Sequence, residues 1–147
     1  MAKAIITTND QRPKPLDVGG LSITVLASEK ETDGYEIFHA EGIEGKGPGP
    51  HYHPWDESLY ITKGQVHCGV GEKELLASPG TFVHIPAGTV HWFHFGKDGG
   101  EFISMTSKGN ASAMFTAFSK GINWESPDRE ELVALAAKHG QVVLDSA

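Results

Sequence analysis

Cysteine is nearly missing from this chain. Cys68 is the only one in 147 residues, so an internal disulfide is impossible and a disulfide-stapled fold is excluded. A thiol without a second one reads as a small buried hydrophobe rather than a metal or redox centre. Such usage fits a reducing cytoplasm, where we expect the protein. Positive charge is also scarce. Twelve Lys and Arg stand against 19 Asp and Glu, a net charge of −7, and the basic residues do not cluster. Nucleic acid, whose binding needs a positive footprint, is not an expected partner. Long apolar runs are missing too. The N-terminus lacks the hydrophobic stretch of a signal peptide, and no segment approaches transmembrane length, so no membrane association is expected.

Glycine and proline, by contrast, are plentiful, with 18 and 8 residues, many placed between short apolar runs. That is the composition of many strands joined by turns. The length suits a single domain with a real hydrophobic core. Strands are expected at Ala4-Ile5-Ile6 and at 21–27, 34–41, 51–53, 57–63, 65–70, 73–77, 81–86, 90–95 and 101–107. Turn signals separate them at Lys63-Gly64, Gly71-Glu72, Ser78-Pro79-Gly80, Ala87-Gly88 and Gly96-Lys97-Asp98-Gly99-Gly100. This rhythm indicates an all-β sandwich or barrel. An arm at 1–19, punctuated by Pro13 and Pro15, precedes a barrel at about 20–107, and a helical tail follows at about 110–147. In the tail, Met114, Phe115 and Phe118 mark one helix face that Gly121 can end. Ser126 as N-cap, Pro127 in the first turn and Asp128 at the positive end of the dipole open a second helix. Its stripe is Leu132, Val133, Leu135 and Ala136, and Gly140 stops it. Both stripes are expected to pack on the barrel exterior; a lid over the mouth is the alternative.

Four side chains in this frame are strong metal ligands: His51, His53, Glu57 and His91. Residues two apart on a strand share a face, so His51 and His53 point together. Pro54 keeps His53 extended, because a residue before proline avoids the helical region. Glu57 opens the next strand, and His91 enters from a separate one after the Pro86-Ala87-Gly88 turn. Imidazoles and a carboxylate suit one divalent transition metal ion: Fe, Ni, Mn, Cu, Co or Zn. An octahedral ion held this way keeps two cis positions for water, O2 or a chelating substrate. Glu57 is the candidate general base. If His91 faces inward, Phe93 and Phe95 share its face, and Leu59 and Ile61 follow Glu57. Phe93, Phe95 and Leu59 are the candidate walls of an apolar substrate pocket, at positions that equally serve a barrel core. His84 has the opposite parity and is expected outside, and His67 has an open register. The loop Gly45-Lys46-Gly47-Pro48-Gly49-Pro50 is no phosphate cradle, since two prolines remove N–H donors. It reads as a flexible approach at the rim.

The spacing Gly45-x5-His51-x-His53-x3-Glu57-x6-Gly64, followed by Gly80-x5-Pro86-x-Gly88-x2-His91, resembles the paired motifs of the cupins. One departure is Phe95, where the second motif usually carries asparagine, a position that is not a ligand. The resemblance implies a double-stranded β-helix (jelly-roll) barrel with short C-terminal helices. It also implies an ion held inside by His51, His53, Glu57 and His91, and a homodimer in which the N-terminal arm takes part by edge-strand exchange. The glycine-proline approach to His51, the His53-Pro54-Trp55-Asp56-Glu57 run and the tail are similar to small bacterial cupins of the quercetin-dioxygenase-like kind. Cupin motifs say little about the reaction, because one fold hosts many. The expectation is a dioxygenase of a small aromatic or enolic molecule. The alternatives are an isomerase, epimerase or lyase on a sugar or oxo acid, and a non-catalytic binder.

Overall fold

Leu21, Ile23, Phe38, Ala40, Leu59, Ile61, Phe93, Phe95 and Phe102 are all buried, while the side chains between them are partly or fully exposed. Burial of every second residue requires a sheet with an inside. The computed structural model describes residues 3–145; residues 1, 2, 146 and 147, at the ends of the expected arm and tail, lie outside it. Among the described residues nine strands form: β1 (Leu16–Val18), β2 (Leu21–Ala27), β3 (Glu36–Gly42), β4 (His51–Tyr52), β5 (Glu57–Val70), β6 (Lys73–Ala77), β7 (Phe82–Ile85), β8 (His91–Thr106) and β9 (Val142–Val143). They run β1-β2-β3-β8-β4-β9, and β5 joins β6, β7 and β8. Every pairing is antiparallel. The expected all-β barrel with short C-terminal helices is the architecture found. No helix among the described residues is long and apolar enough to cross a membrane.

β8 is the hub. Its C-terminal half pairs with β3, its first residue with β4, and its whole length with β5, from Glu57↔Thr106 to Val70↔His91. The turns expected at Lys63-Gly64 and across Gly96–Gly100 do not form. Both strands continue through them as bulges, with the register shifting between Ile61 and Lys63 and again between Gly64 and Val66. Glycine is required there by crowding: at Gly64, with φ +67°, a Cβ would collide with the Gly99 carbonyl oxygen. The Gly45–Pro50 loop also differs from expectation. It is fastened along β8 by Gly45 N–H to Phe95 O, Phe95 N–H to Lys46 O and Phe93 N–H to Pro48 O.

Ala4-Ile5-Ile6 does not form a strand. No described strand edge pairs with it, and Ile5 and Ile6 are 44% and 89% exposed. Among the described residues three α-helices form, α1 (Glu29–Thr32), α2 (Ala111–Gly121) and α3 (Arg129–Lys138), besides a short 3-10 turn at Asn9–Gln11. The N-cap of α3 is Asp128, not Ser126: its carboxylate accepts from the backbone N–H of Glu130 and Glu131, which a charged acceptor at the positive helix end does well. After α3, Gly140 turns with φ +88°, and the chain returns as β9 to pair with β4.

Two carboxylates pin α2 to the barrel. Glu36, fully buried on β3, accepts from the N–H of Glu29, the N–H of Ser112 and the Ser112 hydroxyl. Glu29 in turn accepts from the N–H groups of Gly109 and Asn110. These donors include the unpaired N–H groups at the start of α2, where negative charge is favourable. Glu36→Ala leaves buried donors without an acceptor. Since hydrogen bonds to a charged group contribute about 1.5–3 kcal/mol each, we expect a loss of about 2–3 kcal/mol in urea unfolding; an unchanged midpoint would contradict the pinning role.

Candidate metal centre

The chain brings three imidazoles together by pairing β4 with β8. His51 and His91 are partners in register, and His53 lies two residues beyond His51 on the same face. All three are buried. The rings pack with centroids 4.1 Å (His51–His91), 4.8 Å (His53–His91) and 5.7 Å (His51–His53) apart. One ring nitrogen from each lies within 4.8 Å of the others, an arrangement able to hold a metal ion.

What fixes the rings is a repeated backbone contact. His51 Nδ1 lies 2.8 Å from Gly49 O, His53 Nδ1 3.0 Å from Trp55 O, and His91 Nδ1 2.9 Å from Thr89 O. A carbonyl oxygen only accepts, so each Nδ1 carries the proton and donates. In the neutral ring each Nε2 is then left with a lone pair, the tautomer a metal needs. Trp55 adds a second restraint. It is 2% exposed and stacks on His53 with centroids 4.4 Å apart and planes 9° from parallel.

Glu57 closes the group. Its Oε2 lies 3.0 Å from His53 Nε2 and 3.3 Å from His91 Nε2. In the neutral rings neither Nε2 has a hydrogen to offer while its Nδ1 is donating, and His91 Nε2 is buried without a hydrogen-bond partner. Two acceptor nitrogens facing an acceptor oxygen need a cation between them, either a proton or a metal ion. The donor set therefore fits a divalent ion. The charge balance agrees. Burial works against the Glu57 carboxylate, but its contacts with His53 and His91 outweigh this and hold it well below the usual carboxylate range. Burial and the neighbouring His91 push the His51 pKa down to about 4. For His91 burial also opposes charge, yet Glu57 outweighs it and raises the pKa above that of an ordinary histidine.

The cluster opens into a cavity of about 310 Å³. His51, His53 and Glu57 lie on its wall, as do Leu21, Ile23, Phe38, Phe93 and Phe102 of the barrel. Of the three candidate pocket residues, only Phe93 lines it. Phe95, fully buried, packs on Phe102 with centroids 5.9 Å apart, and Leu59 is core; neither borders the cavity. They follow the inward parity correctly but sit in layers the barrel fills with side chains.

The tail supplies what the sequence reading missed. Met114, Phe115 and Phe118 of α2, Trp124, Leu132 of α3, and Gln141, Val143 and Leu144 around β9 all border the cavity. The helices thus close the barrel mouth rather than coat the exterior. Phe115 meets Phe38 edge-on at 5.2 Å, and Trp124 meets Phe118 edge-on at 6.3 Å while donating its indole N–H to Phe118 O. The Met114–Phe115–Phe118 stripe was a signal for this wall. The return of β9 onto the His51 strand had none.

His84 sits at 2.9 Å from the Ser58 hydroxyl on the outer face. His67 is outside as well, stacked on His94 with centroids 4.8 Å apart.

The cupin domain model matches residues 39–104 of this chain. Quercetin 2,3-dioxygenase from Bacillus subtilis (strain 168) is 36% identical over 69 residues, a match covering 46% of this chain and 20% of that protein. The chain thus spans about a fifth of the length of that curated relative. Among solved structures, KdgF from Halomonas sp. superposes with a TM-score of 0.68 at 17% identity, covering 76% of this chain and 99% of its own. An RmlC-like cupin from Shewanella frigidimarina superposes with a TM-score of 0.64 at 18% identity, covering 71% and 91%. The paired histidine motifs thus lie inside a barrel whose fold is that of these cupin structures, and the stretch of chain that carries most of both motifs matches the cupin domain model.

Proposed function

We propose that this chain is a metal-dependent dioxygenase of a small, flat, uncharged aromatic or enolic molecule, with His51, His53, His91 and Glu57 holding one divalent transition metal ion. The observation that carries the reading is the wall of the cavity. Phe38, Phe93, Phe102, Phe115 and Phe118 dominate it, and aromatic walls of this kind take planar apolar ligands. Arg129 is the cation among the described lining residues, and its guanidinium is held by Leu144 O and Asp145. A sugar or oxo acid calls for polar and cationic partners, so an isomerase, epimerase or lyase reading draws less support. The similarity to a quercetin dioxygenase points the same way.

In this reading the histidines contribute Nε2 lone pairs held in place by their Nδ1–H bonds. Glu57 sits beside His53 and His91 as an ionised carboxylate, placed to take the proton of a substrate hydroxyl. The phenylalanines hold the ring plane, and α2 with the β9 segment excludes bulk water. A bound divalent ion would act as Lewis acid on a substrate oxygen, with Fe, Ni, Mn, Cu, Co and Zn all compatible with this donor set.

A homodimer accompanies the proposal. Residues 3–15 are exposed throughout and carry Lys3, Arg12 and Lys14 against Asp10, on a chain of net charge −7. The outer sheet face exposes Tyr60, Phe82 and Met105. An arm with apolar residues and no intrachain seat fits exchange onto such a face of a second copy.

Metal-loaded protein is expected to consume O2 with a flavonol or catechol, and Glu57→Gln to reduce the rate by about 10²–10⁴-fold, the usual contribution of a general base. Equal turnover under strict anaerobiosis, or no uptake across a broad panel, would sink the dioxygenase reading. Metal affinity should depend on pH because a proton competes for the same nitrogens. Burial opposes the charge of His91, but Glu57 outweighs it and raises its pKa, so zinc affinity should rise with pH as that ring loses its proton. While the ring is protonated the affinity should fall by about tenfold per pH unit for the one competing proton, and a flat profile from pH 5.5 to 8 would contradict this. Light scattering should report a dimer at micromolar concentration and a monomer after deletion of residues 1–15; a monomeric intact chain refutes the arm exchange.

A further inference from the structure

Thr106 is the last residue of β8, in register with Glu57 on one side and Glu36 on the other. Residues directly opposed in a sheet have Cβ atoms about 5 Å apart, so Thr106 stands next to the carboxylate that faces His53 and His91. It borders the cavity, is 2% exposed, and its hydroxyl has no hydrogen-bond partner. A buried hydroxyl without a partner is destabilising. The histidine Nδ1–H groups are committed to backbone carbonyls, and Glu36 accepts from Ser112 and Glu29. Ser104, two residues back on the same face, borders the same space.

We propose that the Thr106 hydroxyl is the anchor for a ligand oxygen beside the histidine cluster. The ligand class is thereby narrowed to flat apolar molecules with two neighbouring oxygens, as in a vicinal diol or a hydroxyketone on an aromatic frame. One oxygen is directed at the cluster and the other hydrogen-bonds to Thr106. The inference rests on the substrate reading above and specifies how that substrate is oriented. Thr106 acts as a positioning residue; no proton leaves it.

The test compares wild type, Thr106→Val and Thr106→Ser as zinc-loaded proteins, which keeps redox turnover out of the measurement. Two fluorescent probes are used: 2,3-dihydroxynaphthalene, with neighbouring oxygens, and naphthalene, with none. Thr106→Val should raise the Kd of the diol about tenfold and leave that of naphthalene unchanged, while Thr106→Ser retains diol affinity. Zinc content should stay the same. The melting temperature of the metal-free Thr106→Val protein should stay level or rise, because the substitution removes an unpartnered hydroxyl. Unaltered diol binding by Thr106→Val, equal loss of both probes, failure of the wild type to bind the diol, or a lower melting temperature with loss of zinc would each overturn the proposal. The expected binding pattern without oxygen uptake would keep the anchor and remove the dioxygenase reading. Oxygen uptake with unaltered binding would do the reverse.

Discussion

The site depends on one contact made three times. His51, His53 and His91 each donate Nδ1–H to a backbone carbonyl two residues away, on Gly49, Trp55 and Thr89. These bonds choose the tautomer, aim the rings, and leave three Nε2 lone pairs facing one region that also holds the Glu57 carboxylate. Carbonyls of a hydrogen-bonded barrel move little, so the orientation is built before any ion arrives, and less ordering cost remains for binding. The local sequence serves this contact. Pro54 and the Pro86–Gly88 turn bend the chain so that the carbonyls of Trp55 and Thr89 come back toward their own histidines.

The rest of the fold keeps that arrangement dry and aligned. β8 ties the cluster to the cavity floor: it begins at His91, passes Phe93 and Phe102 on the wall, and ends at Thr106 beside Glu57. Glu36 and Glu29 hold α2 against the mouth through its N-terminal N–H groups. β9 adds a strand to β4, so His51 is paired on both sides, with His91 and with Val143. Cavity and cluster are therefore one unit made from distant parts of the chain.

How much of this was legible beforehand follows from the range of the interactions involved. His51 and His53 were legible as a pair because strand parity and a proline are local rules; that Glu57 and His91 join them was implied by the resemblance to the paired cupin motifs, and the structure brings all four together. The strand at 21–27 was legible from alternation alone, and its bounds coincide with β2. The glycines at 64 and 96–100 were read as turns because glycine marks turns and bulges alike; only the pairing of β5 with β8 separates the two. Phe95 and Leu59 were placed on the correct face, but parity does not say how deep in the barrel a residue lies. Ser126 lost the cap to Asp128 because both residues cap well and only the observed start of α3 decides between them. The pairing of β9 with the His51 strand left no trace, since two valines near a chain end look like any short apolar run.

X-ray absorption of the metal-loaded protein tests the central claim most directly, because it reads the donor atoms themselves. The account predicts a shell with scattering from three imidazoles at about 2.1 Å, completed by oxygen. A shell with fewer than three imidazoles, or one containing sulfur from Cys68, would contradict it.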